Sequence, residues 1–344
     1  MHLSGYLPQA LAFAAMIATP AFAADQPLAA LFAPVATTAP IPDVEFFMPR
    51  PVPAWQAEIG ARYFFAGSKT GKSLYDIPSD SSALVSRLTY SGLQMNSGEI
   101  FGRVAFTGGF FIKGYAGGGA ISSGNLRDED FQPFITPYSS TNSSQHDGGL
   151  GYASADIGYD FLRGGDFHAG GFVGYHFLHE TVSAYGCLQT TTNSDVCQPG
   201  IPAGYNVVSQ TNQWQSARVG LEAAVKFADR FTLSGEGAWL PYVHLQGADT
   251  HWARIAEGDF SGPIPEDGTG HGYQFEAVLS YDVTHYLSVG LGGRYWHMQA
   301  NGNSHFENVA VGGAPQPVDW KNDVYGVFLQ GSLKLGPYPL GGSW

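Results

Sequence analysis

Residues 56–66 alternate with a period of two: Ala57, Ile59, Ala61, Tyr63 and Phe65 share one face, while Gln56, Glu58, Gly60 and Arg62 share the other. Successive side chains of a strand point to opposite faces, so this pattern calls for a β-strand with one face against an apolar medium. The alternation returns at 216–227, where Ala217, Val219, Leu221, Ala223, Val225 and Phe227 oppose Ser216, Arg218, Glu222 and Lys226. It returns again at 273–283 and 324–335. Extended to less regular stretches, it predicts ten strands, at 56–66, 86–107, 110–122, 150–162, 167–185, 214–227, 231–246, 272–283, 286–300 and 324–335.

A soluble sandwich also alternates, but its polar faces meet water and carry charge. Here only 13% of residues are charged, and the polar faces are Gly and Ser with occasional opposite charges such as Glu58 with Arg62 or Glu222 with Lys226. That composition suits a narrow lumen in which charges pair. An even strand number and links of two sizes point the same way. Links of a few residues at 108–109, 163–166, 228–230 and 284–285 alternate with polar segments at 68–85, 123–149, 186–213, 247–271 and 301–323. The predicted class is all-β: a ten-stranded antiparallel transmembrane β-barrel with long extracellular loops, its N-terminus in the periplasm. Tyr63, Tyr159, Phe161, Trp239, Tyr242, Tyr273, Tyr281, Tyr295 and Trp296 lie near strand ends and are expected in the headgroup belts.

The N-terminal residues follow another logic. An apolar run from Leu7 breaks at Pro20 and is followed by Ala21-Phe22-Ala23, the mark of a signal peptide over 1–24. Residues 25–54, with Pro40, Pro42, Pro49, Pro51 and Pro53, read as a Pro-rich periplasmic linker, leaving 55–344 as the barrel. Cys187 and Cys197 share the third long segment, and export predicts that they form a disulfide. The net charge of −13 argues against a nucleic-acid partner. A ten-stranded barrel is only slightly wider than the eight-stranded kind that side chains fill, which disfavours a pore.

Two polar segments carry groupings with chemical potential: Asp128-Glu129-Asp130 in the second, and Asp249-Thr250-His251 in the fourth. The topology brings both to one rim. Residues two apart point the same way, so Asp128 and Asp130 face one wall, and Asp249 and His251 the other. Such a cleft can hold and deprotonate a water: His251, oriented by Asp249, is the general base, while Asp128 and Asp130 bind that water and raise one another's pKa.

The segment Ser86-Arg87-Leu88-Thr89-Tyr90, then Gly124-Asn125-Leu126-Arg127-Asp128-Glu129-Asp130-Phe131, then Leu150-Gly151-Tyr152-Ala153, Gly174-Tyr175 and Ala248-Asp249-Thr250-His251 together resemble the omptins, ten-stranded outer-membrane endoproteases of Gram-negative bacteria. The resemblance spans about 56–335. It implies an aspartyl-type endopeptidase acting as a monomer on a peptide or protein substrate, with Asp128, Asp130, Asp249 and His251 catalytic and no metal or covalent intermediate. His146 matches a histidine the family keeps in its second loop. The family's acidic substrate pocket does not carry over, because Lys72 and Gly247 stand at two of its positions and Asn142 at a third. Lys72, His146 and Gly247 are the candidate substrate-binding residues, with Asp76 as the alternative acidic group in the first long segment, and preference for basic peptides is not implied. Omptins also require lipopolysaccharide; of the residues that hold it, Tyr175 matches, while Phe177 and His179 replace a charged pair. Two rival readings stand beside the protease. One is an omptin-fold barrel without proteolysis, acting as a surface-binding or structural protein. The other is a lipid-modifying enzyme using Ser122 or Ser123 with His146.

Overall fold

The computed structural model describes residues 54–76, 83–131, 136–193 and 195–336. The signal peptide and most of the Pro-rich linker lie outside the described residues. Ten antiparallel strands close into a barrel: β1 (Trp55–Tyr75), β2 (Leu84–Phe106), β3 (Phe110–Phe131), β4 (Pro137–Arg163), β5 (Phe167–Gln189), β6 (Ile201–Phe227), β7 (Phe231–His251), β8 (Ile264–Asp282), β9 (Leu287–His305) and β10 (Pro315–Leu335), each beside its sequence neighbour and β10 beside β1. Among the described residues no helix is long and apolar enough to cross a membrane.

The strands wind around the barrel at a steep angle. Register partners followed from Phe64 through Ser97, Gly119, Leu150, Glu180, Asn212, Gly247, Glu266 and Ser304 arrive at Gln316, twelve residues short of Phe328, the partner of Phe64 across the closing seam. A stagger of this size tilts strands by roughly 35–45° to the axis. Outside, Ile59, Tyr63, Phe65, Leu221, Phe275 and Leu329 stand exposed in an apolar band, the face a bilayer would cover. Tyr63, Tyr159, Phe161, Trp239, Tyr242 and Tyr273 lie on this outer face as expected. Trp296 does not: it is 2% exposed and packs inside against Tyr115, Tyr152 and His176. Adjacent strand residues must point opposite ways, so Tyr295 and Trp296 could not both face lipid.

Side chains fill most of the lumen. Nearest the short turns, charges pair across strands rather than along them, which corrects the expected Glu58–Arg62 and Glu222–Lys226 pairs. Arg62 and Arg294 bridge Glu99 and Glu276, while Arg103 and Lys113 both reach Glu222. Lys226 lies 3.7 Å from Asp282 instead. Above this layer sit Phe64, Trp214, Trp296 and Phe328. Glycines make the room: a Cβ at Gly292 would lie 2.3 Å from the Phe328 ring.

The long polar segments are mostly not loops. β3 runs on to Phe131, β4 starts at Pro137, and β6 starts at Ile201, so the barrel wall continues well beyond the apolar band. In the run Ser139-Ser140-Thr141-Asn142-Ser143-Ser144-Gln145 both faces are polar, because water lies on both sides, and the apolar alternation that marks a membrane strand vanishes. The backbone ladder persists all the same, pairing Arg127 with Asn142 and Asp130 with Ser139. This extension raises a mouth of stiff strands, and Cys187 and Cys197 are joined there by a disulfide, as expected.

Candidate active site at the barrel mouth

The mouth's chemistry comes from strand ends held in register. On β3, Leu126 is buried in the lumen and Asp128 and Asp130 follow on the same face. Asp128 lies opposite Leu88 of β2 and Thr141 of β4, and Asp130 opposite Ser86 and Ser139. The intervening Glu129 points outward and is gripped by Arg87 at 2.7 Å and Arg127 at 3.0 Å, which fixes the face on which its neighbours lie. Across the mouth, the end of β7 places Asp249 opposite Gln210 of β6 and Ile264 of β8. His251 ends that strand, and the short helix α1 (Trp252–Glu257) turns away directly after it, anchored by a 2.9 Å bond from the Trp252 indole to the Ser209 hydroxyl.

The expected Asp–His pair is formed: His251 Nε2 lies 2.8 Å from Asp249 Oδ2. Lys72 Nζ donates to the same oxygen at 2.7 Å, and also to Glu266 Oε1 at 2.5 Å and Gln210 Oε1 at 3.0 Å. Ser304 and Gln210 donate in turn to Glu266. Burial alone would push the Asp249 carboxyl up, but the charges and hydrogen bonds of His251 and Lys72 hold it well below the usual carboxylate range. His251 is raised above an ordinary histidine, the Asp249 carboxylate outweighing the opposite effect of burial.

The facing pair behaves differently. Burial, then the neighbouring Asp130 charge, pushes the Asp128 carboxyl up to about 7. Asp130 is also raised by burial, against a hydrogen bond with Ser86. Of the mutual raising expected from sequence, only the effect of Asp130 on Asp128 is found, and it is secondary to desolvation. Asp128 and His251 lie near enough for each charge to act on the other. Two carboxylate oxygens, Asp128 Oδ1 and Asp249 Oδ1, are buried without a protein partner. Buried acceptors are rarely left so, and a water hydrogen-bonded in the mouth is the ordinary way to satisfy them.

Three residues that sequence reasoning passed over complete the site. Glu266 and Gln210 hold Lys72, and the Tyr90 hydroxyl is buried where the charges of Asp249, Asp128 and Glu266 all reach it. Beneath them Glu180, fully buried, accepts from Thr70, Asn212 and Asn322. Below that layer Leu178, Trp214, Val243 and Met298 close the lumen. A partly open cavity of about 200 Å³ lies at the opposite, turn end, lined by paired charges including Arg103, Lys113 and Glu222, and has no part in the mouth.

The other candidate residues fall in various places. Lys72 is in the site but buried, with its ammonium fully engaged. Gly247 adjoins it, since a Cβ there would lie 3.3 Å from Glu266 Oε2. His146 is on the outer face, stacked on Tyr185 at 4.2 Å, whereas Gln145 is the residue that turns inward. It is not brought to the four catalytic candidates. Asn142 is likewise exposed. Among the described residues no Ser122–His146 hydrogen bond forms; the Ser122 hydroxyl donates to the Gln94 carbonyl at 3.4 Å. Tyr175 stands on the outer face, its hydroxyl donating to Gln215 at 3.0 Å.

Compared with solved structures, the chain is similar to the outer membrane protease OmpT from Escherichia coli, with a TM-score of 0.61 at 16% identity over 80% of this chain and 96% of that one. The outer membrane protein OprG from Pseudomonas aeruginosa follows with a TM-score of 0.37 at 11% identity, over 83% and 98% of the two chains. AlkL, an outer membrane protein, gives 0.30 at 13% identity over 82% and 92%. No family model and no curated protein matches the chain. At these identities the likeness is one of fold: the chain has the fold of outer-membrane β-barrels.

Proposed function

We propose that this barrel sits in a bacterial outer membrane with its mouth outward and hydrolyses peptide bonds there as an omptin-like endopeptidase. The observation that carries the reading is the opposition of a bonded Asp249–His251 pair to Asp128, with an unpartnered buried oxygen on each carboxylate. With the proton of neutral His251 on Nε2, donated to Asp249, Nδ1 is left to accept a proton from water. That water, also held by Asp128 and Asp130, attacks the scissile carbonyl carbon. The C–N bond then breaks, and the proton taken up by His251 passes to the departing amine. Asp249, kept ionised by its neighbours, stabilises the imidazolium in between.

The mouth also supports expectations about partners. Lys72 and Gly247 stand where the resemblance would put acidic groups, so a substrate pocket for basic side chains is not supported, and His146 is too far round the wall to serve. The exposure of Tyr175 on the outer face supports contact with lipid, and lipopolysaccharide belongs in the assay. The test is cleavage of a mixed-sequence peptide library by the refolded barrel with lipopolysaccharide, beside His251→Ala. Cleavage lost in the variant supports the reading.

A second reading, a surface-binding barrel without proteolysis, is favoured by one observation. Lys72 and His251 share a single oxygen of Asp249, so the base's orienting partner is already neutralised by a permanent cation. Absence of cleavage by the native chain across the library would select it.

A further inference from the structure

The Lys72 ammonium is held in a hole by three acceptors. Its side chain, 4% exposed, crosses the lumen from β1 to the β6, β7 and β8 ends, where its three bonds go to Asp249, Glu266 and Gln210. An ammonium has three donors, and all three are used. The acceptors are themselves braced, since Glu266, fully buried, also accepts from Ser304 at 2.9 Å and from Gln210 at 2.8 Å. Gln210 is oriented by donating to Asn212 as well. Two carboxylates serving one ammonium make a site for a primary amine, and a tethered occupant excludes free ones from it.

We propose that this hole is an alkylammonium-binding site kept filled by the chain's own Lys72. A cationic substrate side chain approaching Asp249 and His251 therefore finds the Asp249 and Glu266 carboxylates taken, and shortening Lys72 opens them to a free primary alkylammonium. The consequence for substrates rests on the endopeptidase reading; the binding site does not. Peptides with an uncharged side chain beside the scissile bond are the class that this mouth admits.

The test is binding of n-butylammonium chloride to the refolded full chain, read as a saturable rise in Tm at ionic strength held constant with sodium chloride. Lys72→Ala should respond, and should respond less to methylammonium, which lacks the stem that fills the vacated path. It should not respond to tetramethylammonium, which has the charge but no N–H donor. The native chain and Lys72→Met, whose side chain keeps the stem in place, should not respond. An equal response in the native chain, or to tetramethylammonium, overturns the proposal. Where Lys72→Ala does not fold unaided, refolding yield across a butylammonium titration reads the same site, and a yield indifferent to the amine overturns it.

A second arm concerns specificity. The native chain should leave Lys and Arg sites in the library uncut, while Lys72→Ala should gain them and lose them again as butylammonium is added. Cutting at basic sites by the native chain would refute the occupancy while leaving the peptidase reading intact. Amine binding without any peptide cleavage would do the reverse.

Discussion

The turn end and the mouth of the barrel are both packed with charge, and they treat it in opposite ways. Near the turns, carboxylates meet guanidinium or ammonium groups directly: Glu99 bonds Arg62 and Arg294, Asp156 bonds Arg218 at 3.1 Å, and Glu236 bonds Lys113 and Arg218. Aromatic rings lie over the same cations, Phe101 at 4.1 Å from Arg62 and Phe172 at 3.9 Å from Lys113. In the mouth, Asp249 and Glu266 are paired by Lys72 and His251, whereas among the described residues neither Asp128 nor Asp130 forms an ion pair, the Arg254 charge reaching Asp130 only from a distance. Desolvating a charge without a partner is costly, so a surplus kept in one place marks a site, while a balanced network marks a wall.

Two substitutions separate the roles. His251→Ala removes the proposed base from the mouth and should lower peptide cleavage by a factor on the order of 10² to 10⁴, while above the histidine's titration the melting curve stays near that of the native chain. Arg294→Met should do the converse. Arg294 is 1% exposed and bonds Glu99 at 2.6 Å, so its loss leaves buried carboxylates uncompensated and should cost about 3 to 5 kcal/mol of stability. The surviving folded fraction should cleave normally. Loss of cleavage per folded molecule in Arg294→Met, read by active-fraction titration against refolded protein, would show that the two regions are not independent. Replacing both Cys187 and Cys197 by Ser is the intermediate case. It frees a link ten residues apart in the extended wall and should lower stability by up to about 3 kcal/mol, seen as faster proteolysis of the β5–β6 hairpin and little change within the membrane band.

The contrast also explains what could be read without coordinates. Alternation finds a strand only where its two faces meet different solvents, so the membrane band was legible in β1 and β6 while the wall above it read as loops. The catalytic candidates were legible because their spacing is local: Asp128 with Asp130, and Asp249 with His251, are each two apart on one strand. Glu266 was not. Its meeting with Lys72 depends on the stacked registers of β1, β7 and β8 and on a side chain crossing the lumen, and 194 residues separate the partners. Gln210 and Tyr90 were hidden for the same reason. The pairing of Arg62 with Glu276 rather than Glu58 shows that adjacency along a strand says little about contacts in a closed ring.

The finest division between mouth and wall is in pH dependence. His251 is raised by its bond to Asp249, so that pair contributes stability that is fully present below the ordinary histidine value of 6.5 and is lost as pH rises through the higher folded value. Asp128 acts in the same direction. With a folded pKa of about 7 against 3.8, it is favoured in its protonated form, and its ionisation weakens the fold as pH rises over that interval. The proposed hydrolysis needs the opposite, a neutral His251, so cleavage should rise with pH where the mouth loses stability, the compromise expected of a functional site. Asp128→Asn sharpens this. The Asp128 charge helps to hold a proton on His251, so its removal should lower the histidine's pKa and move the acid limb of cleavage toward lower pH. The titration of the His251 ring protons, followed by NMR in the labelled barrel, measures that displacement even in a variant whose turnover is low. A shift upward would mean that Asp128 is protonated when His251 titrates and acts on it as a hydrogen-bond donor rather than as a charge.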